Sequence, residues 1–310
     1  MKAVRVTSWG SPPEYITVPD LPPPEPTQLQ LRILAAGVPR VTRFRAAKDH
    51  PSAYNATLPF DPGVDGVGLD ETTGTRYFIH AFAAPIYAER ANVLRSQLVQ
   101  LDANIDPVSL AGLANPATSS WMALKYRAIG GCKGLTVAIV GATSASGRLA
   151  ALIARTLGAT RVIGFSRNAD TLATVEGLDT RVILKEPLVL PDDLGPVHIV
   201  LDYVGGPNGV SLMEAVEIDP GKDLQYILTG GLAGHKDVHL PAQLINKRPI
   251  RIMASGIGSF SGEDLKREQS ALVAAVAMIK PPFDLFPTSL EDFPAAWSSG
   301  DKAKKLVVTP

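Results

Sequence analysis

The sequence predicts an α/β protein, with a doubly wound parallel sheet covered by helices on both faces and a second, β-rich region at the N-terminus. Two observations support this fold class. Seven prolines stand among the first 26 residues, and because proline fixes φ and lacks an N–H donor, that stretch favours short strands and extended connections. From residue 135 onward strand and helix patterns alternate, with the spacing of the βαβ units that build parallel sheets.

Within the β-rich region, two segments carry clear strand signals. Residues 29–34 (LQLRIL) alternate like a half-buried strand. Three glycines punctuate a second apolar segment at residues 63–68, as is typical of strands that bend tightly. The pattern changes near residue 107, where residues 107–114 and 120–128 predict two helices.

Strands and helices then alternate to the end of the chain. Residues 135–140 (LTVAIV) are continuously apolar, which is typical of a strand buried on both faces. Residues 147–157 predict a helix with one apolar side. The remaining elements are predicted strands over 161–165, 181–184, 198–201, 225–228 and 250–254, a helix over 262–279 and a closing strand over 305–308.

Composition restricts the class of protein. Hydrophobic residues make up 45% and charged residues 19% of the chain, which argues against disorder. Thirty basic residues balance thirty acidic ones, so no overall charge would attract nucleic acid or an anionic membrane. The apolar run at 271–279 is about half a membrane span, and the N-terminus lacks an apolar signal core. The single cysteine, Cys132, excludes an internal disulfide and a multi-cysteine zinc site, and we expect it on a surface loop. These features predict a cytoplasmic small-molecule enzyme without a nucleic-acid or membrane partner.

A small-residue turn, GATSASG at 141–147, joins the buried strand to the next helix. In dinucleotide-binding folds such a turn lets a pyrophosphate approach the backbone and the N–H groups of the helix start. Of the usual G-x-G-x-x-G pattern only the last glycine, Gly147, is kept. We predict cofactor contacts from Ser144, Ala145 and Ser146. The alternative is a serine-rich loop that caps a buried helix and binds nothing.

The next strand ends in a signal for the choice of cofactor. Sites for NAD usually place an acidic residue about 20 residues after the turn, to bind the ribose 2′-hydroxyl. Here Ser166 and Arg167 stand at that point, and the first acid is Asp170. A hydroxyl and a guanidinium suit a 2′-phosphate, which arginine can bind through two hydrogen bonds. The residues therefore favour NADPH over NADH, the alternative being a solvated arginine on an ordinary loop.

Seven segments carry a family resemblance. They are MKAVRVTSWG (1–10), LPFDPGVDGVG (58–68), YAE (87–89), NPATSSWMAL (115–124), LDYVG (201–205), TGG (229–231) and KKLV (304–307). In their order and spacing they resemble the medium-chain dehydrogenase/reductase superfamily, specifically its zinc-free, quinone oxidoreductase-like branch.

The resemblance implies a domain organisation. Residues 1–112 would form a β-rich, GroES-like substrate domain, and residues 113–258 a Rossmann domain that binds NADPH. Residues 259–310 would return to the substrate domain.

The resemblance also implies roles for single residues. Val204 and Gly205 would line the nicotinamide ribose, and Gly230 and Gly231 would lie beside the ring. The strand at 250–254 would pair with its two-fold mate in a homodimer.

The zinc branch places a cysteine just after Gly37 and a histidine in the segment 63–65. This chain has Val38 and Val64 there, so the resemblance implies no catalytic metal. Hydride would then pass to an activated C=C bond (enone or enoyl) or to a quinone, without a Lewis acid.

Two hydroxyl groups are candidates for the catalytic machinery. In related enoyl-thioester reductases a tyrosine before the 58–68 segment helps to protonate the product, which makes Tyr54 a candidate. Thr118 stands at the predicted domain junction, where its hydroxyl could contact substrate or cofactor. The alternatives are a loop tyrosine with a half-packed ring and a threonine that caps a helix.

Two departures from the family pattern keep other functions open. Many quinone reductases carry Asn and Asp where this chain has Pro39 and Thr42. A cyclase or isomerase of secondary metabolism on the same fold, or a non-catalytic NADPH-binding protein, are therefore the alternative functions.

Overall fold

The computed structural model describes residues 1–229, 237–299 and 305–310, in which fifteen strands form. The strands are β1 (Lys2–Arg5), β2 (Glu14–Thr17), β3 (Gln28–Gly37), β4 (Gly66–Asp70), β5 (Thr75–Ile79), β6 (Arg90–Leu94), β7 (Leu98–Leu101), β8 (Thr136–Val140), β9 (Arg161–Ser166), β10 (Thr180–Ile183), β11 (Ile199–Asp202), β12 (Leu224–Leu228), β13 (Ile250–Ala254), β14 (Leu285–Thr288) and β15 (Lys305–Val308).

The helices of these residues alternate with the strands most regularly after residue 135. They are α1 (Arg40–Ala46), α2 (Pro107–Trp121), α3 (Ala145–Thr156), α4 (Ala169–Ala173), α5 (Pro207–Ala215), α6 (Ala242–Lys247), α7 (Gly262–Ala277) and α8 (Phe293–Ser298). Short 3₁₀ turns lie at Pro51–Ala53 and Arg95–Gln97, and a π-helical stretch lies at Met122–Arg127. None of the described helices is long and apolar enough to cross a membrane.

The chain divides into two compact units. The first consists of Met1–Asn115 and Lys266–Pro310, and the second of Pro116–Leu265. In the first unit β1 and β2 form a hairpin, and a larger sheet has the strand order β14-β15-β3-β4-β5-β7, with β6 also paired to β3. The buried side chains of this unit include Leu31, Ile33, Tyr87 and Phe293. A salt bridge between Arg5 and Asp61, 2.7 Å long and almost fully buried, ties β1 to the turn that precedes β4.

The second unit is built on one sheet with the order β10-β9-β8-β11-β12-β13. All five strand pairs are parallel. The order runs outward from β8 in one direction and then reverses at β11, which is the arrangement of a Rossmann fold with its switch point between β8 and β11. Every residue of β8 is buried, as its apolar run predicts. The predicted fold class, a doubly wound parallel sheet with a β-rich companion, is confirmed.

Two local predictions are wrong. The helices expected at 107–114 and 120–128 are one continuous helix, α2, which contains Pro116 and runs on into the π-helical stretch. The proline reads as a break in the sequence, but the surrounding Leu113 and Ala117 are fully buried, so packing sustains the helix through it. Cys132, expected on the surface, is 2% exposed, and its sulfur lies near the carbonyl oxygens of Ala154 and Leu157.

Candidate functional site

The turn after β8 brings its backbone unusually close to its neighbours. Gly141 adopts φ +84°, and a Cβ atom there would lie 3.1 Å from Val204 Cγ2 and 3.3 Å from Tyr203 Cβ. A Cβ atom at Gly147 would collide with the carbonyl oxygen of Gly141 and lie 2.8 Å from Ala142 Cα. Both positions therefore require glycine, one for its conformation and one for the approach of helix α3 to the turn.

Helix α3 begins with its N-terminus at this turn. Ser144 is the N-cap, and its hydroxyl accepts a hydrogen bond from the Gly147 N–H at 3.0 Å and donates one to the Gly141 carbonyl at 2.9 Å. The Ser144 hydroxyl therefore shapes the turn. Because the first N–H groups of a helix have no acceptor within it, Ala145 and Ser146 present backbone donors at the positive end of the helix dipole.

Ser166 and Arg167 stand at the carboxyl end of β9, next to this turn. Ser166 is 7% exposed, and its hydroxyl lies 3.1 Å from the Thr143 hydroxyl and accepts a long bond, 3.4 Å, from Asn168 N–H. Arg167 is exposed and its guanidinium has no hydrogen bond or ion pair with the described residues. Sequence reasoning missed Thr143, although it lies inside the small-residue turn.

The turn after β11 is organised by Asp202, a fully buried carboxylate. Its Oδ1 accepts hydrogen bonds from the N–H groups of Val204 at 2.7 Å and Gly205 at 2.9 Å. Its Oδ2 accepts a short bond from the Tyr226 hydroxyl, and burial together with this negative charge raises the pKa of Tyr226. Neither residue was among the predicted site residues, yet Asp202 is the first polar residue of the LDYVG segment.

The described part of the second unit thus gathers three predicted groups at the carboxyl edge of one sheet. Ser144, Ala145 and Ser146 follow β8, Ser166 and Arg167 follow β9, and Val204 and Gly205 follow β11. Contacts at Gly141 and Thr143 join these three turns. Gly230 and Gly231 lie outside the described residues.

Thr118 lies on α2 as a partly buried residue with a partner of its own. The neighbouring Ser119 is the residue of this segment whose hydroxyl reaches the β11 turn, 3.2 Å from the Tyr203 hydroxyl.

In the first unit the predicted residues lie around the turn before β4. Tyr54 follows the 3₁₀ turn at Pro51–Ala53 and is 55% exposed. Thr42 is fully buried, with its hydroxyl 3.5 Å from the Tyr87 hydroxyl, which donates to the Gly37 carbonyl at 2.7 Å.

Asp65, at the start of β4, is a buried carboxyl group whose Oδ1 has no hydrogen-bond partner among the described residues. Burial raises its pKa from 3.8 to about 7. No local pattern signals this property, because in the sequence the residue is one member of a glycine-rich turn.

The opposite edge of the second sheet carries a cavity of about 220 Å³, between Leu135, His198 and Arg251. Its charged groups are paired: His198 and Lys222 with Asp219 at 2.9 Å each, and Arg251 with Asp223. Because it lies at the amino ends of the strands, it is remote from the three turns described above.

Possible metal ligands do not converge in the described residues: no three His, Cys, Asp or Glu side chains there could share an ion. Val38 and Val64 occupy the places that the zinc branch gives to ligands.

No model of a known protein family matches the chain. An Emericella nidulans protein named "probable NADPH-dependent quinone reductase tdiC" is 43% identical to it over 355 aligned residues, which cover all of both chains. Among solved structures, the quinone oxidoreductase of Thermus thermophilus, determined also with NADPH, superposes with a TM-score of 0.76 at 23% identity over all of both chains. The quinone oxidoreductase of Pseudomonas syringae superposes with a TM-score of 0.75 at 20% identity, over 100% of this chain and 99% of that one.

The two solved structures support the fold, and the identity over the full length of both chains supports the kinship. The chain belongs to the medium-chain dehydrogenase/reductase superfamily, in its quinone oxidoreductase-like branch.

Proposed function

We propose that the protein is an NADPH-dependent reductase that delivers hydride to a quinone or to an activated C=C bond of an enone or enoyl compound. The carrying observation is the arrangement at the carboxyl edge of the second sheet. Three turns meet there at a helix N-terminus, with a free arginine beside them. The full-length relative named for NADPH-dependent quinone reduction supports the same activity.

The residues present fit the cofactor. Gly147, where a side chain would fill the space between α3 and the turn, leaves room for a pyrophosphate against the N–H groups of Ala145 and Ser146. Ser166 and Arg167 would hold the 2′-phosphate, and Val204 and Gly205 the nicotinamide ribose. When bound, NADPH supplies the hydride.

The proton needed to complete the reduction comes from the protein or from solvent. Tyr54 and Thr118 are the two residues that the sequence proposes for contact with the reacting groups. The large exposed fraction of Tyr54 supports a role in contacting a substrate that arrives from solvent.

The larger organisation extends this proposal. Residues 1–112 with 259–310 would bind the substrate, and residues 113–258 the cofactor. A homodimer would form through β13, the last strand in the order of the second sheet. A cytoplasmic location agrees with the single, buried cysteine and with the use of NADPH.

The test follows NADPH absorbance with a panel of quinones, enones and enoyl thioesters, and in parallel titrates NADPH and NADH by fluorescence. Turnover with tight NADPH binding supports the proposal. NADPH binding without any turnover would favour the cyclase, isomerase or non-catalytic alternatives. Absence of binding would contradict the cofactor assignment itself.

A further inference from the structure

Tyr203 is placed at the switch point of the second sheet by its backbone. It follows Asp202 at the end of β11, and its N–H donates to the carbonyl of Val140, the last residue of β8, at 3.1 Å. Its Cβ atom packs beside Gly141. The two following residues are Val204 and Gly205, so Tyr203 lies within the turn proposed to hold the nicotinamide ribose.

The phenol of Tyr203 ends in a group of hydroxyls. Its Oη lies 3.2 Å from Ser119 Oγ, and Ser119 in turn donates to the Pro116 carbonyl at 2.9 Å. With that donor already used, the Tyr203 O–H donates to Ser119. The side chain is partly buried and retains some exposure.

The surroundings keep this phenol neutral. Burial raises the pKa of Tyr203 to about 12, and the hydroxyls of Ser119, Ser120 and Thr229 act in the opposite direction. The nearest carboxylate in sequence, Asp202, already accepts hydrogen bonds from Val204, Gly205 and Tyr226. Tyr203 therefore keeps its O–H throughout the neutral pH range.

We propose that Tyr203 is the proton donor of the reduction and that Ser119 is the positioning residue through which it is recharged. The proposal rests on the reductase activity proposed above. It differs from the sequence candidates in that donor and ribose-binding turn are the same four-residue segment of one unit.

The proton transfer balances as follows. Addition of hydride to an enone or a quinone leaves an electron pair on the conjugated oxygen of the substrate. The Oη–H bond of Tyr203 breaks and its proton forms a bond to that oxygen. The phenolate then takes a proton from solvent through the Ser119 hydroxyl, so that each turnover consumes one NADPH and one proton.

The test compares Tyr203→Phe with Tyr126→Phe, a control in the same unit at a 40% exposed tyrosine. We expect Tyr203→Phe to lower kcat for a naphthoquinone by about 100-fold or more, the usual contribution of a general acid, with the dissociation constant of NADPH within about 2-fold of wild type. Tyr126→Phe should change neither. Wild-type kcat in Tyr203→Phe would overturn the proposal while leaving the reductase activity intact.

A second readout needs neither cofactor nor turnover. Ultraviolet titration of tyrosinate formation, as the difference between wild type and Tyr203→Phe, isolates the Tyr203 phenol. Ser119→Ala should raise its pKa, because a hydroxyl that stabilises the phenolate is lost, and should lower kcat with little change in KM. An unchanged titration would remove the role of Ser119. A wild type that binds NADPH but reduces none of the acceptors would overturn the reductase activity and this proposal together.

Discussion

Asp65 in the first unit is a carboxyl group whose ionisation opposes folding. Burial raises its pKa in the folded state from 3.8 to about 7, and one of its oxygens has no partner among the described residues. Between these two pH values the unfolded chain releases the proton that the folded chain retains. The contribution of Asp65 to stability is therefore lost as pH rises through this window.

We expect Asp65→Asn to become more stable than wild type as pH rises from about 4 to about 7, by up to about 4 kcal/mol, at 1.4 kcal/mol for each pKa unit. The measurement is the free energy of unfolding by urea at several pH values. Asp49→Asn, at an exposed carboxylate, is the control and should show a constant difference from wild type. A constant difference for Asp65→Asn as well would mean that the carboxylate finds a partner in solution.

Arg167 carries the prediction on cofactor choice. Its guanidinium is exposed and makes no ion pair with the described residues, so it is available to a 2′-phosphate. Arg167→Ala should weaken NADPH about 10- to 150-fold, the loss of one charge-assisted contact worth about 1.5–3 kcal/mol, and leave NADH nearly unchanged. Fluorescence titration with both cofactors measures this, with Arg95→Ala, an exposed arginine of the first unit, as the control. Equal weakening of both cofactors would contradict the phosphate assignment.

At the residue scale, the sequence indicated the surface of the candidate site better than its supports. Ser166 and Arg167 could be chosen because the end of a strand is visible as a change from apolar to polar residues. Asp202 and Tyr226 could not be paired, because their contact joins adjacent parallel strands 24 positions apart. The same holds for Ser119 and Tyr203, 84 positions apart.

At the scale of elements, apolar periodicity predicted the second sheet closely. The strand predicted over 250–254 is β13, and the closing strand over 305–308 is β15. Such runs are readable because a strand buried on both faces has no polar positions to blur its ends. The fusion of two predicted helices into α2 was not readable, since the penalty of an internal proline is local and its compensation by packing is not.

Helix α3 gives the prediction at this scale. Gly147→Ala adds a methyl group that meets backbone atoms of Gly141 and Ala142, which cannot move aside as a side chain could. Alanine favours a helix over glycine by about 1 kcal/mol, so the collision and the helix propensity act in opposite directions. We expect the collision to dominate, with destabilisation of about 1–3 kcal/mol and weaker NADPH binding.

The matched control is Gly262→Ala, at the first residue of α7, where a Cβ atom would meet nothing within 4 Å. That variant should be neutral or slightly stabilising in the same thermal or urea unfolding experiment. If Gly147→Ala behaved like Gly262→Ala, the close approach of α3 to its turn would not constrain the fold.

At the scale of the whole molecule, the alternation of strand and helix was enough to predict the doubly wound sheet and its β-rich companion. Parallel strands need crossover connections, and in this chain those connections are helices whose apolar sides are visible in the sequence. Strand order followed from the same rule, with the reversal between β8 and β11. The pairing of β15 with β14 and β3 joins the last residues to strands far earlier in the chain, and no local pattern predicts it.

The exposed edge of the second sheet carries the proposal of a homodimer. β13 ends the strand order, and Ile252 in it is 40% exposed, so an apolar edge is open to pairing with a second copy. The competing view is that cations guard this edge. Two of them are engaged within the unit, since Arg251 pairs with Asp223 and Arg248 donates to the carbonyls of Glu214 and Val216.

Ile252→Glu should therefore shift the protein from dimer to monomer in light scattering at micromolar concentration, because the two glutamates would face each other near the two-fold axis. Folding should be retained, as the side chain is already partly exposed. Val189→Glu is the control: Val189 is 64% exposed and follows β10, at the opposite edge of the sheet. A monomeric wild type would contradict the dimer without affecting the cofactor site, whose residues lie at the ends of β8, β9 and β11 rather than on the edge strand.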